Sequence, residues 1–169
     1  AILSSERPVI YAGGGAIYSN AAKELSELNK ILKVPVTNTL MGLGVYPAKN
    51  KLFLGMLGMH GTYQANMAMH NADLILAVGS RFDDRITNTP SLFAPNAKIV
   101  HIDVDPASIS KIIKADIPIV GQVKDSLQAL IKEIKRSKIK IDTDAIDIWN
   151  IQIDKWRKKH GLDHDLYQK

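Results

Sequence analysis

Consecutive apolar residues occur in short runs bounded by glycine, asparagine or charge, the pattern of strands buried on both faces. Pro8–Ala12 (PVIYA) is the first and stops at Gly13, Gly14 and Gly15; residues 34–37, 73–78 (DLILAV), Lys98–Asp103 (KIVHID) and 118–120 follow. Between these runs the apolar period becomes that of a helix. Ala21, Leu25, Leu28 and Leu32 form one stripe, with Ser19 or Asn20 placed to cap its amino end. Residues 62–71 can be helical, and Leu127, Leu130, Ile131 and Ile134 mark a later helix. Such alternation predicts an α/β fold, a Rossmann-like three-layer sandwich built on a mostly parallel sheet.

Two stretches depart from the alternation. Residues 38–61 carry Gly42, Gly44, Gly55, Gly58 and Gly61 with little periodicity, which predicts a functional or mobile loop with something lying against it. Residues 137–144 turn to Lys, Ile and Asp and read as a linker, after which Ile146, Trp149, Ile153 and Trp156 make a stripe on a terminal helix. The expectation is one domain at 1–136, followed by a linker and helix at 137–169 whose apolar face packs on another domain or subunit.

Composition narrows the class. A length of 169 residues suits one domain, and 46% hydrophobic with 23% charged residues is the balance of a globular chain. The absence of cysteine excludes disulfides and thiolate metal sites and agrees with a reducing cytoplasm. No apolar run approaches the ~20 residues that span a bilayer, and the first residues lack the form of a signal peptide, so a soluble, cytoplasmic protein without a membrane partner is expected. A first residue of Ala1 instead of Met suggests a piece of a longer chain. The net charge of +5 collects at 132–140 and at Lys155, Arg157, Lys158 and Lys159. Only Trp156 interleaves an aromatic with either run, so they read as solvated helix faces, with no nucleic-acid partner.

Gly13, Gly14 and Gly15 stand where a first strand meets a first helix, a place where backbone N–H groups can receive a phosphate. A dinucleotide fingerprint needs another glycine where Tyr18 stands, and an acid at the end of the second strand, where Thr37, Asn38 and Thr39 stand. Standard NAD binding is therefore disfavoured, and a plain glycine turn stays open. After the strongest strand comes Gly79, Ser80, Arg81, Phe82, Asp83, Asp84 and Arg85, at the end of the sheet where ligands of open parallel sheets bind. Arg81 and Arg85 can grip a diphosphate or a ring carbonyl, and Asp83 can accept from ribose or amide groups. A self-neutralising salt-bridge cluster remains the alternative. Asp103 can hold a ribose hydroxyl, whereas Asp105 before Pro106 reads as a helix cap. His60 and His101 have no second ligand at metal spacing, and no Ser, Thr or Cys shows a nucleophile motif.

These segments together resemble a family: RPVIYAGGG, TLMGLGVYP, LGMLGMHGTYQANMAMHNADLILAVGSRFDDRITN, then HIDVDP with SISK and DIPIVG. Across residues 7–130 the chain is similar to the central domain of acetolactate (acetohydroxyacid) synthase large catalytic subunits, thiamine-diphosphate enzymes whose central domain holds FAD in an extended pose. The resemblance implies Gly13, Gly14 and Gly15 at the diphosphate and ribose, and Thr39, Leu40, Met41, Leu57, Gly58, Met59 and His60 along the flavin side. It further implies Gly79, Arg81, Asp83 and Arg85 along the cofactor's length, and Asp103 and Val104 near the adenosine. Position 122 is Gln where the family usually has Asp, so no contact is carried over to it. The family joins two pyruvates, or pyruvate and 2-ketobutyrate, with loss of CO2 in branched-chain amino-acid biosynthesis, without needing the flavin as an electron carrier. Thiamine diphosphate and Mg2+ would be held mainly by other domains of the same subunit, which this chain lacks, so it is expected to be inactive alone. Further implied partners are a homodimeric or tetrameric parent and a small regulatory subunit. Two alternatives remain: a related decarboxylase or oxidase, and a spacer domain with a vestigial cofactor site.

Overall fold

In a computed structural model, which describes residues 1–137 and 142–160, six strands form one sheet: β1 Pro8–Ala12, β2 Val36–Asn38, β3 Phe53–Met56, β4 Leu74–Val78, β5 Lys98–Asp103 and β6 Ile117–Val120. All neighbours pair parallel, in the order β3-β2-β1-β4-β5-β6. The order reverses between β1 and β4, and the crevice at their carboxyl ends is where such sheets bind ligands. β1 and β5 occupy the expected residues. β2 begins two residues late because Pro35 has no N–H for a ladder, and Asp73 stays outside β4 because its carboxylate accepts from the Glu6 and Arg7 N–H groups at 2.8 and 2.9 Å.

The helices are α1 Gly14–Tyr18, α2 Ala22–Leu32, α3 Tyr63–Asn71, α4 Asp84–Thr87, α5 Val123–Arg136 and α6 Thr143–His160. One face of the sheet (Ile10, Ala12, Leu76, Val78, Val100 and Ile102) is covered by Leu25 and Leu28 of α2 and Leu127 and Ile131 of α5. The other face (Val9, Tyr11, Ile75, Ala77 and Ile99) meets Ala65, Ala68 and Met69 of α3 and Trp149 and Ile153 of α6. β1 and β4 are buried at every position, which is why their sequence runs apolar without alternation.

Several expectations change. Neither Ser19 nor Asn20 caps α2, since a five-residue α1 intervenes and Asn20, at φ 52, makes the left-handed link between the two helices. The glycine-rich stretch 38–61 is not irregular throughout: it contains a 3-10 turn at Leu40–Gly42 and the edge strand β3. β3 escapes a periodicity reading because it is four residues long and bulged, with Gly55 at φ 90. Asp105 caps a turn and no helix, accepting from Ala107 N–H at 2.9 Å and Ser108 Oγ–H at 3.0 Å.

The largest correction concerns α6. Its stripe packs on this domain's own sheet: Ile146, Trp149 and Ile153 are buried, and the Trp149 indole N–H donates to the Pro8 carbonyl at 3.2 Å. Arg157 donates to the carbonyls of Lys51 and Phe53 at 3.0 and 3.2 Å, tying the same helix to the sheet's edge. Ile148 and Ile151 face outward. Of the expected linker, residues 138–141 lie outside the described residues, and Thr143 and Asp144 already belong to α6.

Lys132, Lys135 and Arg136 of α5 are exposed, and two of them are paired, Lys135 with Glu27 at 2.8 Å and Arg136 with Glu133 at 2.9 Å, as on a solvated helix face. Gln122 is the N-cap of α5 and makes no side-chain capping bond. Gln122→Asp is expected to raise stability by about 1 kcal/mol, measured by chemical denaturation, because an aspartate there accepts from first-turn N–H groups and meets the positive helix end. Among the described residues no helix is long and apolar enough to cross a membrane.

Candidate functional site

A cleft of about 730 Å³ opens at the carboxyl ends of the sheet. Segments after β1 to β5 all contribute: Gly14, Gly15 and Tyr18; Thr39, Leu40 and Met41; Leu57, Met59 and His60; Gly79 to Arg81 and Asp83 to Ile86; and Asp103 with Ser108. The volume falls within the range of small-molecule sites.

The three glycines divide their work. Gly13 is buried at the crossing with the end of β4, where an added Cβ would lie 2.3 Å from the Gly79 oxygen and 2.5 Å from Ser80 Cα. A Cβ at Gly15 would lie 2.8 Å from Gly79 Cα. The N–H groups of Gly13 and Gly15 donate to the carbonyls of Val78 and Gly79 at 3.0 and 2.9 Å. Both N–H groups are thus committed within the protein; Gly14 and Gly15 line the cleft, and Gly14 is the member with no main-chain atom of another segment pressed against it. A Cβ on Gly14 would meet only the Met41 side chain closely, at 3.1 Å.

Where a dinucleotide fold places an acid, the end of β2, Asn38 is fully buried and its amide donates to the Gly42 carbonyl at 2.8 Å. Thr39 Oγ1 accepts from Gly42 N–H at 3.0 Å, so the 3-10 turn presents Leu40 and Met41, both exposed, to the cleft. Across it, Asn66 on α3 clamps Gly58 from both sides, its Oδ1 accepting from Gly58 N–H at 3.0 Å and its amide donating to the Gly58 carbonyl at 3.1 Å. Gly58, at φ 102 and buried, supports the wall without lining it, and the neighbouring Met59 N–H donates to the Arg85 carbonyl at 3.2 Å.

The segment after β4 alternates in and out. Phe82 is buried, with Tyr11 at 5.8 Å, Phe93 edge-on at 5.7 Å and His101 edge-on at 5.3 Å between ring centroids. Its neighbours Arg81 and Asp83 project into the cleft and approach one another at only 3.5 Å, with much of each side chain exposed. The self-neutralising alternative is met by this one loose pair; Arg85 has no carboxylate partner among the described residues. Such an exposed pair contributes little to stability. Burial, and secondarily the Asp83 charge, raise the Tyr11 phenol well above its ordinary value, keeping it neutral. Burial lowers the His101 pKa, opposed by its bond to Ser80 and by Asp103, which favours the neutral ring.

Asp103 reaches the cleft, and its Oδ1 accepts from Asp105 N–H at 2.9 Å. Val104 is exposed just beyond the lining. Of the residues expected at the site, only Gly13, Gly58 and Val104 stand outside its surface. Sequence reasoning missed Tyr18, Met56, Ser80, Asp84, Ile86 and Ser108 in the lining, and the supporting Asn66. Asn66 carried a readable signal, a polar amide on the helix that follows a glycine-rich loop. Among the described residues no group of three His, Asp or Glu is placed to hold a metal.

The sequence has parallels among known proteins. The chain is 47% identical, over 98% of its length, to the acetolactate synthase isozyme 3 large subunit of Escherichia coli. It is 52% identical over 95% of its length to the acetolactate synthase large subunit of Buchnera aphidicola subsp. Schlechtendalia chinensis. The probable acetolactate synthase large subunit of Methanocaldococcus jannaschii is 52% identical over 82% of this chain. The chain spans 29%, 28% and 24% of these relatives, respectively. Residues 1–130, which carry the six strands and every wall of the cleft, match the family described as thiamine pyrophosphate enzyme, central domain, and the chain belongs to that family.

Proposed function

We propose that the chain is the FAD-carrying central domain of an acetolactate synthase large subunit, with the cofactor extended across the cleft. The observation that carries this reading is the pair of rim arginines, Arg81 and Arg85, above a cleft walled by glycine and apolar residues at the strand ends. Guanidinium forks suit diphosphate oxygens, and Gly14 lets the backbone approach a flat, extended ligand. Thr39, Leu40, Met41, Leu57, Met59 and His60 line the flavin side, Asp83 accepts from ribose or amide groups, and Asp103 with Val104 takes the adenosine end. Gly13, Gly15, Gly58 and Gly79 bring these segments close enough to act together.

The whole enzyme's reaction belongs to the same proposal. Other domains of a longer cytoplasmic subunit hold thiamine diphosphate and Mg2+, which supply the carbanion chemistry joining pyruvate to a second 2-keto acid. The subunit works as a homodimer or tetramer with a small regulatory subunit. Residues 1–136 carry the cofactor site and α6 completes the core of the same unit, while another domain of the subunit completes the active site. By itself the chain holds a cofactor and does not catalyse.

Titration with FAD tests the reading. Flavin fluorescence is expected to be quenched and the melting temperature to rise, since a ligand that binds only the native state stabilises it by mass action. Arg85→Ala is expected to weaken FAD binding about tenfold or more, the scale of a hydrogen bond to a charged group, with an unchanged melt of the ligand-free chain. A well-folded chain that does not respond to FAD would overturn the proposal. Unchanged affinity in both Arg81→Ala and Arg85→Ala would favour a spacer with a vestigial site.

A further inference from the structure

His101 lies below the cleft, fully buried on β5, and the reading of the cleft gives it no contact with a ligand. Strand register explains its position. Tyr11, Ala77 and His101 stand side by side on β1, β4 and β5 and point to the same face. The small Ala77 leaves a gap between two rings, and Phe82 folds back into it, touching both. The backbone just before Phe82 is held by two hydrogen bonds. His101 Nε2 lies 2.9 Å from the Ser80 carbonyl, and since a carbonyl only accepts, the ring proton is on Nε2. Ser80 Oγ–H donates to the Tyr11 carbonyl at 3.1 Å. Ser80 is 2% exposed, and Gly79 before it turns the chain at φ 56.

We infer that His101 is a positioning residue: its Nε2–H fixes the Ser80 carbonyl and so sets the direction in which Arg81 and Asp83 leave the sheet. Ring packing alone would hold Phe82 but leave the Ser80–Arg81 peptide free to rotate, and a rotation there redirects Arg81 and, through it, the Asp83 carboxylate it meets at 3.5 Å. The bond to Ser80 removes that freedom. With the ring neutral, Nδ1 is left buried without a partner among the described residues, so the donor at Nε2 is the polar function this histidine performs. The inference rests on the FAD reading only for its effect on ligand binding; the ordering of the loop does not need it.

Two substitutions of the 169-residue chain separate the donor from the ring. His101→Gln can place an amide N–H near the position of Nε2, whereas His101→Phe keeps an aromatic ring and has no donor. Amide hydrogen exchange by mass spectrometry, without ligand, is expected to show faster exchange in the peptide covering 79–85 for His101→Phe, by about tenfold for one lost buried bond. Protection in β1 and β4 should persist, and His101→Gln should restore the loop. His101→Asn, whose amide is too short to reach the Ser80 carbonyl, should behave like the Phe variant and gives the same comparison if that variant does not fold. FAD affinity should follow the same order. Equal loop protection in the Gln, Phe and Asn variants would overturn the inference. Failure of the unsubstituted chain to bind FAD would instead sink the reading of the cleft, with the exchange comparison still deciding the role of His101.

Discussion

Gly13→Ala is expected to destabilise the chain by about 3 kcal/mol or more, a large fraction of the stability of an ordinary domain. The backbone at Gly13 is extended, with φ −114 and ψ −171, a conformation open to any residue, so the cost is steric and not conformational. The added carbon would lie 2.3 Å from the Gly79 oxygen, 2.5 Å from Ser80 Cα and 2.7 Å from Ser80 Cβ. Two of these atoms are main chain at the carboxyl end of a central strand, and they can move only if β1 and β4 separate where the cleft is built. Gly14→Ala makes the sharper comparison. Its Cβ would press on Met41, which is 63% exposed and can yield, so stability should fall by less than about 1 kcal/mol. FAD binding should nevertheless weaken, because Gly14 lines the cleft. Thermal and urea unfolding of the two variants, with FAD titration of whichever folds, would show this separation. Equal destabilisation by both would mean that the triplet is a single turn with no division of roles.

The difference between Gly13 and Gly14 also marks how far the sequence could be read. The triplet's place between a strand and a helix was legible, because an apolar run ends there and a helical period begins. Which glycine faces a ligand was not, since that depends on β4 passing within contact distance of Gly13 and Gly15. For the same reason, the Arg-Phe-Asp-Asp-Arg segment could be assigned to the cleft from its position after a strong strand, while Phe82 as its anchor could not. The gap that Phe82 fills exists because Ala77 stands between Tyr11 and His101 in the sheet register, a relation among residues far apart in sequence. β3 was illegible on different grounds: four residues with a left-handed glycine inside carry no measurable period. The buried Asn38 looked like a missing acid, whereas it holds the turn that presents Leu40 and Met41.

Trp149→Ala is expected to cost about 3–5 kcal/mol, the range for emptying a large aromatic site in a core. The apolar stripe of α6 was correctly visible in the sequence, but a stripe does not say what it faces, and here it closes the second face of this domain's sheet. Trp149 is buried against the cluster containing Val9, Tyr11 and Ala68, stacks edge-on with Trp156 at 5.7 Å between centroids, and donates to the Pro8 carbonyl. Alanine removes the ring and also leaves that carbonyl without its donor. Trp149→Phe isolates the second effect and should cost less, about 1–3 kcal/mol for a buried acceptor left unpaired. Pro8 begins β1 and Gly13 follows its other end, so the loss acts on the strand that supports the cleft but at the end remote from it. The folded fraction of Trp149→Phe should therefore bind FAD with unchanged affinity while melting at a lower temperature. An unchanged melt in Trp149→Ala would mean that α6 is dispensable to this core, and its apolar face would then have to be read as a surface for a neighbouring domain.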